Sequence, residues 1–236
     1  MQDKTPDQKV LCVIGMHRSG TSCLIGSLQN GGLALGEHST WDRHNTQGNR
    51  ENPAVVEFHE GLLEDHGASW DRPPRRLHFN GRHRQEAARI IGEFSGYPCW
   101  GFKDPRTTLA LPLWRELIPG LQIIGIFRHP LAVAASLQKR GSPTGISTAR
   151  GLSLWYHYND ILYREYHRQA FPLLSFDWDE EYFHLRLNKV HQSFNLRPLG
   201  PGQRFYNAEL QHFSGGRERL PWRVGRLYRK LQALAG

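Results

Sequence analysis

The sequence predicts an α/β protein with a central parallel β-sheet flanked by helices on both faces. Three observations carry this prediction. Short, continuously apolar, β-rich runs at Val10–Ile14 and Leu121–Phe127 suit strands covered on both sides. Segments with apolar residues at helical spacing follow them, so β and α elements alternate, the pattern of a parallel sheet between helix layers. A length of 236 residues supports one sizeable core and is short for two. The expected organisation is therefore a single domain, 1–236, with its core over about 10–196 and a basic C-terminal segment over 197–236.

The elements follow in order. Val10–Ile14 (VLCVI) ends at Gly15, and Leu24, Ile25 and Leu28 recur at helical spacing over Thr21–Asn30, with Gly31-Gly32 as the stop. Leu35–Asn52 is polar, rich in Gly, Asn and Asp, and longer than an ordinary connection, which marks it as an active-site loop. Pro53 opens a helix whose apolar stripe is Val55, Val56, Leu62 and Leu63. After a Pro and Arg stretch (Asp71–Arg76), an amphipathic helix is expected over Arg84–Phe94. Cys99–Phe102 reads as a short strand closing on Lys103-Asp104-Pro105, with Thr107 or Thr108 capping the next helix. Leu121–Phe127 (LQIIGIF) closes on Arg128-His129-Pro130 and leads into a helix from Leu131 to about Gln138. Thr144–Thr148 reads as a mobile loop, Ala149–Arg168 as a long aromatic helix, and Pro172–Phe176 as a further strand. Helices over Tyr182–Phe194 and Val224–Leu234 complete the chain. Ligands of such sheets gather at the carboxyl ends of the strands, where Gly15, Lys103 and Arg128 all fall.

A formal charge of +8 favours anionic ligands, because a positive field concentrates phosphates and sulfates. Arginines are scattered from Arg43 to Arg229 without a lysine tract, a zinc-finger pattern or an RNA-recognition signature, which ranks nucleic acid well below a small anion. No apolar run approaches the roughly 20 residues of a membrane span. Met1–Lys9 lacks the apolar core of a secretory signal, so a cytoplasmic location is the default expectation. Cys12, Cys23 and Cys99 cannot all pair, and Cys12 and Cys23 read as reduced core thiols. The histidines form no compelling metal-ligand motif, and no metal is expected.

Gly15-Met-His-Arg-Ser-Gly20-Thr-Ser22 keeps the outer glycines of a nucleotide phosphate loop but has Thr21 where the phosphate-binding lysine would stand. Backbone N–H groups and a helix N-terminus still make an anion nest. Without a lysine reaching β and γ phosphates, ATP and GTP are poor candidates. Arg18 stands two residues ahead of Gly20, placed to meet an oxygen bridging phosphate and sulfate. A second cluster follows a second buried strand: Arg128 offers a planar fork, and Ser136, about two helical turns on, a hydroxyl. Two anion sites after two strands imply a ligand with two separated phosphate groups.

These residues resemble the sulfotransferases that use 3′-phosphoadenosine 5′-phosphosulfate (PAPS). HRSGTS (His17–Ser22) is similar to their 5′-phosphosulfate loop and IFRHPLAVAASL (Ile126–Leu137) to their 3′-phosphate motif. The resemblance covers most of the chain from Val10 to Phe194, but only these two motifs are specific. It implies a P-loop-type fold, with His17, Arg18, Ser19, Gly20, Thr21 and Ser22 at the 5′ phosphosulfate, Arg128 and Ser136 at the 3′ phosphate, and adenosine 3′,5′-bisphosphate (PAP) as product without a metal. Arg18 in place of a loop lysine resembles tyrosylprotein sulfotransferases and bacterial relatives. FKDPR (Phe102–Arg106) is similar to a Lys-Asp-Pro element whose lysine, here Lys103, lies near the reacting sulfate. NTQGNREN (Asn45–Asn52) looks like a stretch that bacterial members carry before a helix, and RFYNAELQHF (Arg204–Phe213) resembles their late segments.

The implied reaction transfers a sulfuryl group to a hydroxyl or phenol, which must lose its proton to a carboxylate or histidine. Glu51 is the first choice, because it lies in the stretch that resembles bacterial members and directly precedes a helix that can fix it. Glu37 is second, and His38 and His59 remain open. Arg18, Glu51, Lys103 and Glu37 are thus the expected catalytic set. Trp155, Tyr156, Tyr158 and Tyr163 line an acceptor pocket or, more often for an aromatic helix, a core. The acceptor is a small molecule, carbohydrate, lipid or peptide. A P-loop kinase or NTPase and a non-catalytic PAP- or nucleotide-binding protein are the rival readings.

Overall fold

The computed structural model describes residues 8–40, 48–139, 145–200 and 219–236. β1 (Lys9–Ile14) leads through the glycine loop into α1 (Thr21–Asn30), followed by α2 (Pro53–Glu64), α3 (Gly81–Gly92), β2 (Cys99–Lys103) and α4 (Thr107–Leu117). β3 (Gln122–Phe127), α5 (Pro130–Lys139), α6 (Thr148–Arg168), β4 (Leu173–Ser175), α7 (Glu180–Ser193) and α8 (Trp222–Ala235) complete the order. The four strands form one sheet in the order β2-β1-β3-β4, with every neighbouring pair parallel. This is the α/β architecture that the alternating pattern predicts.

The alternation of side chains in β1 explains why helices cover both faces. Val10, Cys12 and Ile14 join one apolar cluster with Trp100, Trp114 and Trp155, while Leu11 and Val13 join the other with Leu24, Leu28 and Phe183. One face thus receives α1 and α7, and the other α4, α5, α6 and α8. Period-2 alternation on a strand buried from both sides leaves no polar position, so VLCVI reads as an unbroken apolar run. Burial raises the Cys12 thiol well above its ordinary value and pushes Cys23 up to about 12, so both are protonated and inert, as core thiols should be.

Several boundaries differ from expectation for identifiable reasons. α3 begins at Gly81 rather than Arg84, because the Asn80 side chain accepts from the His83 amide while the His83 ring accepts from the Asn80 amide, a reciprocal cap built with histidine. Neither Thr107 nor Thr108 caps α4. Arg106 holds that position without a side-chain cap, and the Thr108 hydroxyl accepts instead from the Gly15 amide at 3.2 Å. Ser147 caps α6, so Thr148 lies inside the helix and not in the expected loop, whose Thr144 falls outside the described residues. α7 starts at Glu180, two residues before the expected Tyr182, because Asp179 accepts from the Tyr182 amide. α8 gains Trp222 and Arg223 ahead of the expected Val224.

Gly101 in β2 shows how tightly the sheet and α1 side pack. A Cβ there would stand 2.8 Å from the backbone oxygen of Leu11 and 2.8 Å from a methyl of Leu33. Gly101→Ala is expected to lose about 1–3 kcal/mol of stability, read as a lower urea midpoint with an unchanged m-value.

Candidate anion-binding active site

The glycine loop is shaped by close approaches that admit no side chain. A Cβ on Gly15 would strike the backbone oxygen of Ile126 in β3, and one on Gly20 would enter the ring of Phe176. Gly20 is also left-handed (φ 89°) at the N-cap of α1, where no side chain bonds to the first helical amides. Those amides and the positive end of the helix are therefore free of an internal cap. Arg18, left-handed at φ 66°, is an uncommon conformation for a residue with a Cβ and marks the loop as held in shape. The Ser19 hydroxyl is fully buried and has no hydrogen-bond partner among the described residues, an orphan that an anion in the loop would satisfy.

The two clusters separated in sequence meet in space. Arg18 Nε donates to Ser136 Oγ at 2.8 Å, and Arg128 Nη1 reaches the Arg18 carbonyl oxygen at 3.5 Å. Arg128 is steadied from two sides: Trp155 Nε1 donates to its carbonyl at 2.8 Å, and its guanidinium lies 5.3 Å from the centre of the Phe176 ring. Beside it, burial and then the Arg128 charge push the His129 imidazole below its ordinary value. One positive cradle thus spans the ends of β1 and β3.

Lys103, at the end of β2, lies on the other side of the loop. It is 1% exposed, and its ammonium donates to Glu51 Oε1 at 2.7 Å and to Ser22 Oγ, in the first turn of α1, at 3.2 Å. Glu51 is fixed from both sides: its carbonyl accepts from the Ser39 amide at 3.1 Å, and the next residue, Asn52, caps α2 by accepting from Ala54 and Val55. The arrangement brings Glu51, Lys103 and Ser22 together.

The remaining expected residues have other surroundings. Glu37 is exposed, and no hydrogen bond or ion pair among the described residues joins it to this group. His38 lies against the end of α1: Nδ1 contacts the Gly36 carbonyl at 2.7 Å, and Nε2 meets Gln29 Nε2 at 3.0 Å and Arg50 Nη1 at 3.4 Å. With these partners Nδ1 is placed to donate to the carbonyl, and Nε2 faces two donors. His59 is buried, accepts from Trp114 Nε1 at 2.9 Å and faces Asp104 Oδ2 at 3.2 Å with its other nitrogen. Both nitrogens are thereby committed to the core. His17 turns its ring toward Trp70 (centroids 4.6 Å apart) and the edge of Tyr158 (6.2 Å). Trp155 and Tyr158 are fully buried, Tyr158 donating to the Trp70 carbonyl, which makes them core rather than pocket wall. Asn45–Gln47 and Arg204–Phe213 lie outside the described residues.

Two features received no role in the sequence reading. Trp70 sits in an irregular connection, and only its place between two helices could have suggested an inward aromatic. The second is the knot around Asp104, which accepts from the Arg106 amide at 2.8 Å and from Arg106 Nε at 3.0–3.1 Å besides facing His59. Burial alone would raise this carboxyl, but the His59 hydrogen bond and the Arg106 charge outweigh it and hold the group below its ordinary range. Among the described residues no group of three or more His, Cys, Asp or Glu is arranged to hold a metal ion.

No protein-family model matches the chain, and no curated protein matches it in sequence. Among solved structures, the sulfotransferase domain of the Synechococcus PCC 7002 olefin synthase superposes with a TM-score of 0.59 over 98% of this chain and 98% of that domain, at 15% identity. The sulfotransferase STF1 of Mycobacterium tuberculosis H37Rv aligns with a TM-score of 0.46 over 97% of this chain and 76% of that one, at 13% identity, and adds nothing to the first. The chain has the fold of a sulfotransferase domain.

Because Asp104 carries a depressed folded-state pKa, its stabilisation is present above its ordinary value of 3.8 and is lost as pH falls below it toward the folded value. Asp104→Asn is expected to lose roughly 3–5 kcal/mol at pH 7, since Arg106 keeps its charge in a buried site. The gap between variant and wild type in urea unfolding should narrow between pH 7 and pH 3.

Proposed function

We propose that this protein is a sulfotransferase that moves a sulfuryl group from PAPS to a hydroxyl or phenol and releases PAP. The observation that carries the reading is the 2.8 Å bond from Arg18 to Ser136, which joins the glycine loop to the second basic cluster in one site. A ligand with two separated phosphates needs such a double cradle. The unpartnered Ser19 hydroxyl and the uncapped start of α1 fit the 5′ side, and Arg128 with Ser136 fits the 3′ side. The sulfotransferase fold agrees with this assignment.

In the proposed reaction the acceptor oxygen attacks sulfur in line with the bridging oxygen, a new S–O bond forms, and the bond to the phosphate breaks. Arg18 and Lys103 supply positive charge where negative charge builds on the sulfuryl oxygens and the leaving phosphate. Glu51, in contact with Lys103, takes the proton that the acceptor loses. The ammonium also holds the carboxylate in place by its 2.7 Å hydrogen bond.

PAP should raise the melting temperature more than ATP or GTP, with or without magnesium, because selective binding stabilises by mass action. Stabilisation by ATP but never by PAP would overturn the assignment in favour of a kinase or NTPase. Arg128→Ala should weaken PAP binding about 10- to 100-fold, the loss of charge-assisted hydrogen bonds, as titrated calorimetrically. Glu51→Gln should leave PAP affinity nearly intact and cut transfer from labelled PAPS by about 10²- to 10⁴-fold. Unchanged transfer would move the role of base to Glu37 or His38.

A further inference from the structure

The last helix carries a second basic surface, separate from the cradle. α8 is two-faced: Val224, Leu227, Leu231 and Ala235 are buried against the core, whereas Trp222, Arg223, Arg226, Arg229 and Lys230 are exposed. At 3.6 residues per turn these five exposed residues fall within an arc of roughly 120°, so they form one stripe. Arg219 precedes them, also exposed, and residues 219–236 contain no Asp or Glu. Among the described residues no acid pairs with any of these cations. Seven arginines elsewhere, Arg82, Arg84, Arg89, Arg106, Arg115, Arg164 and Arg168, have carboxylate partners, whereas the α8 cations lie together on one face without any among the described residues. An unneutralised stripe creates a positive field that attracts an anionic partner.

Trp222 identifies that partner more closely. It is 68% exposed, the most exposed large hydrophobic among the described residues, and it stands at the N-terminal end of the stripe. An indole among arginines is the composition that settles at the boundary between lipid headgroups and acyl chains. Stacking on a nucleic-acid base is less favoured, because the Arg226 guanidinium already lies 5.2 Å from the centre of the Trp222 ring and covers one face. An acidic protein would satisfy the cations but give the exposed indole no apolar pocket that this stripe itself predicts. The apolar side of α8 is committed to the core, so the helix cannot sink into a bilayer, and no helix among the described residues is long and apolar enough to cross one.

We infer that the α8 stripe docks the protein peripherally on an anionic lipid surface, with Arg223, Arg226, Arg229 and Lys230 over the headgroups and Trp222 inserted between them. The inference is independent of the sulfuryl-transfer reading, since none of these residues belongs to the cradle. Electrostatic attraction of this kind adds about fivefold to partitioning per basic residue close to a phosphatidylserine surface and weakens as salt shortens the Debye length.

The test is flotation of the full chain with vesicles of phosphatidylcholine alone and of phosphatidylcholine with phosphatidylserine, at low and high salt. Binding should require phosphatidylserine, fall with salt, and drop about 25-fold in the Arg223→Gln/Arg226→Gln variant. Trp222→Phe should remove most of the emission quenching caused by brominated lipids. Circular dichroism melting of both variants should match wild type, because the replaced side chains are exposed. Binding to neutral vesicles at equal strength, or binding untouched by the double substitution, would overturn the inference. So would tighter, equally variant-sensitive binding to a single-stranded oligonucleotide or a polyglutamate peptide than to the vesicles. PAP-induced stabilisation, measured on the same samples, reports on the cradle separately and is expected to be unaffected.

Discussion

A single buried carboxylate holds the site side of this molecule together. Asp104, at the turn from β2 to α4, is engaged at once by the Arg106 amide, the Arg106 guanidinium and the His59 imidazole. His59 passes the connection to Trp114 in α4, and Arg106 passes it to Glu60 in α2. Two helices are thereby locked against the end of β2, and the residue just before Asp104 is Lys103. Its ammonium reaches Ser22 and Glu51 only because the strand end and the start of α2 are fixed relative to each other. Charges buried in this way do not make the fold stable by themselves, since desolvation opposes their attraction; they make one arrangement much better than its neighbours.

The cradle uses a different economy of parts. Backbone amides, a helix end and two arginines form it, and glycines make room where the loop presses on Ile126 and Phe176. Thr108 contributes from the opposite helix layer by accepting from the Gly15 amide. The strand order β2-β1-β3-β4 places the reversal of winding beside β1, so the crevice at the ends of β1 and β3 is where a sheet of this kind receives a ligand.

Much of this was legible in the sequence, and the exceptions have physical causes. Buried parallel strands announce themselves as apolar runs, which is why Val10–Ile14 and Leu121–Phe127 are recognisable and the sheet follows. Gly15, Lys103 and Arg128 were placed by the general behaviour of strand ends, and Arg18, in the loop after β1, bonds to Ser136, in the helix after β3. Thr108 misleads because a threonine near a helix start usually caps it, whereas here a tertiary donor, 93 residues away, claims the hydroxyl. His59 looks like any helix histidine until burial and two partners are known. The α8 stripe escapes notice because arginines spread along a chain disclose clustering only after the helix winds them onto one face.

The parallel register has a consequence for how the chain reaches this state. β1 pairs with β2 through Lys9 and Cys99, and with β3 through Leu11 and Gln122, so no strand finds its neighbour nearby in sequence. Closing such distant contacts is entropically demanding before any of them is rewarded, and topologies of this kind assemble slowly. During synthesis the most apolar strand emerges first and waits longest for a partner, with its bare hydrogen-bonding edges open to other chains. The glycine loop that follows it has no shape of its own until β3 arrives to press against Gly15. The conformation of that loop is therefore a product of the long-range pairing of β1 with β3, not of its own short segment.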